Sequence, residues 1–160
     1  MTAMPIVRLA RSGDAGQIAG MSRALIEQGL GWSWTRLRVL AAIRDPACNV
    51  AVIDGPDGLA AFGIMHYGDE RAHLSLLAVH PDRRHQKLGT SLVGWLEKPA
   101  EVAGIARVRL EARADNPGAV AFYRKLGYQE RERVAGYYAG SLDAIRLEKS
   151  LLADLGTLAR

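Results

Sequence analysis

The stretch Leu110-Glu111-Ala112-Arg113-Ala114-Asp115-Asn116-Pro117-Gly118-Ala119-Val120-Ala121-Phe122-Tyr123-Arg124-Lys125-Leu126-Gly127-Tyr128 reads as a strand, a capped turn and a helix with its own stop signal. On the strand side, Val108, Leu110 and Ala112 alternate with Arg107, Arg109, Glu111 and Arg113, the period of two that leaves one face apolar and the other charged. Asn116 is a favoured N-cap, since its side-chain oxygen can accept a first-turn N–H. Pro117 suits the first helical position, and Gly127 stands where a left-handed residue closes a helix. Ala119, Phe122 and Leu126 make the apolar stripe, while Asn116 and Tyr123, seven residues apart, share a face.

Moving upstream, a helix is predicted from about Leu88, with Leu92, Val93 and Leu96 at helical spacing. Pro99 should end or kink it, because it has no N–H and clashes with the preceding turn. Before that helix lies a predicted strand, His73 to Val79, in which Leu74 and Leu76 fall on one parity and Leu77 and Val79 on the other. Either a β-bulge or a strand buried on both faces gives that pattern. The turn between strand and helix is basic: Arg83-Arg84-His85-Gln86-Lys87. Unpaired N–H groups at a helix start point outward with partial positive charge, so this junction suits an anion such as a diphosphate. A solvated basic loop capping an ordinary helix would carry the same composition.

The first half supplies a short strand at Pro5 to Arg11 and a helix through about Glu27, with Ser12 or Asp14 as N-cap. Gly29-Leu30-Gly31 breaks it, and a second helix runs from about Thr35 to Arg44 with Leu37, Leu40, Ala41 and Ile43 as its inner face. Two strands, about Asn49 to Asp54 and Leu59 to Tyr67, flank the turn Gly55-Pro56-Asp57-Gly58 and form a hairpin. After Gly127, strands at about Gln129 to Val134 and Leu142 to Lys149 finish the pattern. The order β-α-α-β-β-β-α-β-α-β-β predicts an α+β (three-layer α/β) fold, a mixed sheet of about seven strands with about four flanking helices. Residues 1–150 are expected to form one domain and 151–160 a tail.

Composition narrows the class. The 49% hydrophobic and 24% charged content is ordinary for a soluble globular protein, and the net charge of +4 permits an anionic partner without naming one. Cys48 is the single cysteine, which excludes an intramolecular disulfide and reads as a small buried hydrophobe. No run approaches the ~20 apolar residues of a membrane span, and Met1 to Arg11 lacks the long apolar region of a signal peptide. A cytoplasmic location is expected. His66, His73, His80 and His85 show no metal-ligand spacing, so no metal is expected.

Two segments resemble the GNAT N-acetyltransferase superfamily. Val79 to Gly89 is similar to its acetyl-CoA loop, [Gln/Arg]-x-x-Gly-x-[Gly/Ala], with Arg84 first, Gly89 last and Lys87 replacing the middle glycine. Leu110 to Tyr128 is similar to the family's Leu-Glu-Val-Arg-x-x-Asn-x-x-Ala-x-x-x-Tyr-x-x-Leu-Gly-[Phe/Tyr]. The resemblance, which extends to the branch that acetylates the N-terminal alanine of a ribosomal protein, implies acetyl-CoA as cosubstrate and direct transfer to an amine in a ternary complex. It implies cofactor contacts from Leu77, Ala78, Val79, Arg84, His85, Gln86, Lys87, Leu88, Gly89, Thr90, Asn116 and Tyr123. Leu77 to Val79 would offer backbone N–H groups to the thioester carbonyl, and Asn116 would bond the pantetheine arm.

Acetyl transfer needs an acid for the departing thiolate and a base or water path for the amine proton. Tyr123 is the candidate acid and Glu111 the candidate base, the latter standing where that branch has a glutamate. Tyr137 and Tyr138, in a loop of the last hairpin, and Trp32 and Trp34, between the first two helices, are candidate walls of an acceptor slot or simply loop aromatics. The favoured acceptor is a peptide or protein N-terminus. The alternatives are a small amine (polyamine, amino acid or aminoglycoside) and a non-catalytic CoA-binding or RNA-associated module. Neither a membrane nor nucleic acid is expected as partner, and the chain is expected to be a monomer or homodimer.

Overall fold

The computed structural model describes residues 5–84 and 86–152. Along the chain run β1 (Arg8–Leu9), α1 (Ala15–Leu25), α2 (Arg36–Arg44), β2 (Cys48–Gly55), β3 (Gly58–Tyr67), β4 (Arg71–Val79), α3 (Leu88–Val102), β5 (Arg107–Arg113), α4 (Pro117–Lys125), β6 (Gln129–Tyr138) and β7 (Leu142–Ser150). The strands hydrogen-bond in the order β1-β2-β3-β4-β5-β7-β6, with β4 and β5 parallel, so the described residues form the mixed seven-stranded sheet and four α-helices of an α+β fold. The expected tail lies outside the described residues beyond Leu152, as does His85. Contacts group the chain into two compact units: residues up to His66 with Ser75–Lys98, and Tyr67–Leu74 with residues from Pro99 on.

In the first unit the β2–β3 hairpin closes between Gly55 and Gly58, the latter at φ 128, a conformation that favours glycine. Its inward residues Val50, Val52, Phe62 and Ile64 are buried with Ile18 and Met21 of α1 and Val39 of α2. Fully burying such side chains stabilises the fold by about 1.5–3 kcal/mol each. Thr35 caps α2 by accepting the Arg38 N–H at 3.4 Å. The inner face of α2 is Val39 and Ala42, with Leu40 and Ile43 half-buried. Leu37 and Ala41, expected inside, are exposed.

The N-terminal strand is shorter than expected, only Arg8–Leu9 pairing with Ala51–Val52. Asp14 stands at the N-cap of α1 as expected, but its side chain makes no cap bond to that helix. Asp14 instead accepts the Arg11 N–H at 2.8 Å and an Arg8 guanidinium N–H at 2.9 Å, while Arg8 also reaches Asp54 at 2.8 Å. On β4, burial alternates without a slip from Ala72 to Ala78 while Leu77 and Val79 are half-buried on the other face. This is the two-faced strand rather than a phase slip. Leu88, Leu92, Val93 and Leu96 of α3 are buried, and Gly63 beneath them leaves no room for a Cβ, which would stand 2.8 Å from Leu96 and 3.2 Å from Leu77.

Pro99 does not end α3, which continues to Val102. The proline forgoes one backbone bond, but its carbonyl accepts the Ala103 N–H at 3.0 Å and the next residue, Ala100, is fully buried.

The second unit pairs Arg71–Leu74 in parallel with Arg107–Leu110, and β5 antiparallel with β7 from Arg107↔Ser150 to Arg113↔Ala144. Ala72, Leu74, Val108, Leu110, Ala112, Tyr123, Tyr128, Ala144 and Leu147 are among its buried residues. Asn116 caps α4, its Oδ1 accepting the Ala119 N–H at 3.1 Å, and Gly127 closes the helix at φ 100. The last hairpin departs from expectation. β6 continues past Val134 to Tyr138, so Tyr137 and Tyr138 stand on a strand and not in a loop. The register shifts between Val134 and Tyr138, where Gly136 takes φ 62 and donates its N–H to Asp143 at 2.9 Å. At the outer side β6 begins with five exposed residues, Gln129 to Arg133.

Candidate active site

In the first unit the basic turn leads from β4 into α3. Pro81–Arg83 form a short 3₁₀ turn, His80 Nδ1 accepting the Asp82 N–H at 3.2 Å. Arg83 holds the Gln86 side-chain oxygen at 3.0 Å, which commits a group expected at the cofactor to its own loop. Lys87, the residue in place of the loop glycine, adopts φ 60. The loop therefore keeps a left-handed turn that L-residues occupy at a cost, and the Lys87 carbonyl accepts the Ser91 N–H at 3.1 Å to start α3. The first N–H groups of α3, at Leu88, Gly89 and Thr90, belong to the turn that helices leave without intrahelical acceptors. Arg84 and Lys87 are exposed beside them in sequence. Such a turn fits a diphosphate.

The loop that carries Trp34 is held by a residue the sequence reading missed. Glu27, almost fully buried, accepts the Ser33 N–H at 2.8 Å, the Ser33 hydroxyl at 2.7 Å, the Ser22 hydroxyl at 3.0 Å and the Trp34 N–H at 3.4 Å. Burial works to protonate this carboxyl, but those hydrogen bonds outweigh it and hold it below the usual range. Trp34 packs against the core with Arg38 3.8 Å above its ring. Trp32 is exposed, its ring under Arg23 and its Nε1 donating to the Ala19 carbonyl at 3.3 Å. An acidic residue at the C-terminal end of a helix, where the dipole disfavours it, was the signal available for Glu27.

In the second unit, the charged face of β5 collects the candidate base and its partners. The Glu111 side chain is 5% exposed and accepts from Arg146 Nε at 2.8 Å and from the Tyr137 hydroxyl at 3.2 Å, with His73 Nε2 at 2.6 Å. Arg146 in turn pairs with Glu132. Burial pushes the Glu111 carboxyl up, but His73 and Arg146 outweigh it and bring it down to about 2. Both oxygens of the carboxylate are thus engaged, Oε1 by His73 and Tyr137 and Oε2 by Arg146. Neither His73 nor Arg146 was singled out beforehand for this site. Both are placed there by strand register: His73 opposite Arg109, one step from Glu111, and Arg146 opposite Glu111 itself.

Tyr123, on the inner side of α4, is buried and packs edge-on against Phe122 and Tyr128 at centroid distances of 5.1 and 5.8 Å. Burial, with the Tyr138 phenol as a lesser cause, pushes its hydroxyl above the ordinary phenol range, so it carries its proton at neutral pH. Tyr137 and Tyr138 stack edge-to-face at 4.9 Å, and burial raises both of their hydroxyls. Asn116 is exposed, with its Oδ1 used by the cap.

The acetyltransferase (GNAT) family model matches residues 14–128, and the chain belongs to that family. It is 39% identical over 90 residues, 54% of this chain and 61% of the other, to the [ribosomal protein bS18]-alanine N-acetyltransferase of Escherichia coli K12. It is 36% identical over 84 residues, 52% of this chain and 48% of the other, to the N-terminal acetyltransferase B complex catalytic subunit NAA20 of Arabidopsis thaliana. The chain thus spans less than two thirds of the length of these curated relatives. The crystal structure of the ribosomal-protein-S18-alanine N-acetyltransferase from Escherichia coli matches with a TM-score of 0.73 at 28% identity, covering 92% of this chain and 94% of that one. No described helix is long and apolar enough to cross a membrane.

Proposed function

We propose that the chain is an acetyl-CoA-dependent N-acetyltransferase that acetylates a protein or peptide N-terminal amine by direct attack in a ternary complex. The observation that carries this reading is the place of Tyr123, a buried phenol on a helix capped by Asn116. Arg84, Lys87 and the first N–H groups of α3 would hold the diphosphate, and Asn116, through its amide nitrogen, the pantetheine arm. Acetyl-CoA supplies the acyl group and the thiol leaving group. Backbone N–H groups of Leu77, Ala78 and Val79 would polarise the carbonyl, and Tyr123 would donate its proton to the departing sulfur.

For the amine proton we assign the His73–Glu111 pair rather than Glu111 alone. His73 Nε2 lies 2.6 Å from Glu111 Oε1, and the carboxylate orients the ring. Tyr137 and Tyr138, with the Trp32–Trp34 loop, would flank the acceptor. In the same reading residues 1–150 serve one reaction, in the cytoplasm, as monomer or homodimer. The relatives above act, by their names, on a ribosomal protein and on protein N-termini, which supports this acceptor class.

The test is CoA-thiol release from acetyl-CoA with short peptides of varied N-terminal residue and with a panel of small amines. Turnover with Ala- or Ser-starting peptides is expected. Turnover with free polyamines, amino acids or aminoglycosides alone would overturn the acceptor, and acetyl-CoA binding without turnover on any amine would overturn the enzyme.

A further inference from the structure

Within the first unit, three metal-binding side chains meet at the open end of the β2–β3 hairpin, away from the residues discussed above. Cys48 and His66 are direct partners across the two strands. Asp45, just after α2, joins them through a tight turn in which the Cys48 N–H donates to the Asp45 carbonyl at 3.0 Å. The ligand atoms of the three side chains all lie within 4.8 Å of one another. Asp45 Oδ2 is 3.6 Å from Cys48 Sγ. In a tetrahedral site with metal–sulfur about 2.3 Å and metal–oxygen about 2.0 Å, that edge is about 3.5 Å. The other Asp45 oxygen accepts the Ala47 N–H at 2.8 Å, which fixes the direction of the carboxylate as outer hydrogen bonds do for metal ligands.

We propose that Asp45, Cys48 and His66 form a binding site for a thiophilic divalent cation of the zinc class, with solvent completing the shell. A thiol, an imidazole and one carboxylate match borderline-soft zinc, whereas magnesium and calcium require oxygen ligands throughout. On binding, the Cys48 S–H bond breaks, its proton passes to solvent, and the sulfur's electron pair forms the metal–sulfur bond; nothing is oxidised or reduced. Without a cation, burial and the neighbouring Asp45 push the Cys48 thiol up to about 11, so the sulfur stays protonated at neutral pH. The bound ion would clip the end of β3 to the turn between α2 and β2 and raise the stability of the folded state by mass action. This site is independent of the acetyl-transfer reading.

The experiment is a cobalt(II) titration of the full chain. Because Cys48 is the single cysteine, a thiolate-to-cobalt charge-transfer band reports on this site alone. One equivalent should give that band together with the visible bands of a four-coordinate ion, and zinc should abolish both and raise the Tm. Cys48→Ser should remove the charge-transfer band, and His66→Ala should weaken binding by roughly 10–100-fold or more. His66 is exposed, so its replacement leaves the fold intact and carries the test if the cysteine variant does not fold. No charge-transfer band at saturating cobalt, or a band whose affinity ignores His66→Ala, overturns the site.

Discussion

His73 Nε2 lies 2.6 Å from Glu111 Oε1 although the backbone partner of His73 in the parallel ladder is Arg109. The contact is a diagonal one, one side-chain step along β5, and it converts a lone strand glutamate into part of an ionic cluster with Arg146 and Tyr137. If the cluster moves a proton, removing either member should lower kcat with little change in the KM for acetyl-CoA. We expect His73→Gln and Glu111→Gln each to lower kcat by ~10²-fold or more. Full activity in His73→Gln would remove the imidazole from the proton path.

Glu111 also ties stability to pH. Its folded-state pKa of about 2 lies below the ordinary carboxylate value of 4.5. Its contribution is therefore complete above pH 4.5 and lost progressively as pH falls toward about 2. Denaturant unfolding at pH 7 and pH 3 should show the wild type losing more stability across that interval than Glu111→Gln does. Equal losses would mean the cluster is not formed in solution.

Tyr123→Phe removes only a hydroxyl from a packed ring, so the fold should persist while kcat falls by ~10²–10⁴. Because that hydroxyl stays protonated above the usual phenol range, the pH–rate profile of the wild type should show no falling limb from Tyr123 below pH ~10. An unchanged kcat in Tyr123→Phe would take the residue out of the mechanism.

Lys87 at φ 60 gives the acetyl-CoA loop a backbone test. Lys87→Ala removes the charge and keeps the left-handed strain, whereas Lys87→Gly removes both. The glycine variant should be the more stable of the two by up to about 1 kcal/mol in chemical denaturation, the left-handed penalty less glycine's extra chain entropy. The reverse order would show that the turn is not left-handed in solution.

Gly63→Ala would press a methyl group to within 2.8 Å of the fully buried Leu96. The expected loss is about 1–3 kcal/mol, the usual cost of overpacking a filled core, read as a lower denaturation midpoint. Glu27→Ala should strip acceptors from the Ser33 and Trp34 N–H groups and cost about 1–3 kcal/mol. A red shift in tryptophan emission would accompany it as the Trp34 loop loosens.

Elements whose ends are written in local chemistry were legible in the sequence. Asn116, Pro117 and Gly127 delimit α4, and Gly55-Pro56-Asp57-Gly58 marks the β2–β3 turn, because each acts on its own backbone. What depends on pairing between distant strands was not legible. His73 and Arg146 reach Glu111 through ladder register, and Cys48 meets His66 the same way. Neither relation leaves a spacing signature along the chain. The inner face of α2 was expected at Leu37, Leu40, Ala41 and Ile43, yet Val39 is the residue that faces the core. Pro99 was expected to end or kink α3 on intrinsic cost, yet the helix runs on to Val102.

The sheet's outermost strand has a consequence for how these molecules coexist when crowded. From Gln129 to Arg133 the side chains on both faces of β6 are exposed, and four of the five are charged: Glu130, Arg131, Glu132 and Arg133. The ladder with β7 is shifted between Glu130 and Glu132, which bends the strand locally. A neighbouring molecule adding a strand there would strip water from ions and cover no apolar surface in return. The last strand is thus left open without inviting a stranger's backbone, and growth of the sheet from one molecule into the next is discouraged at its source.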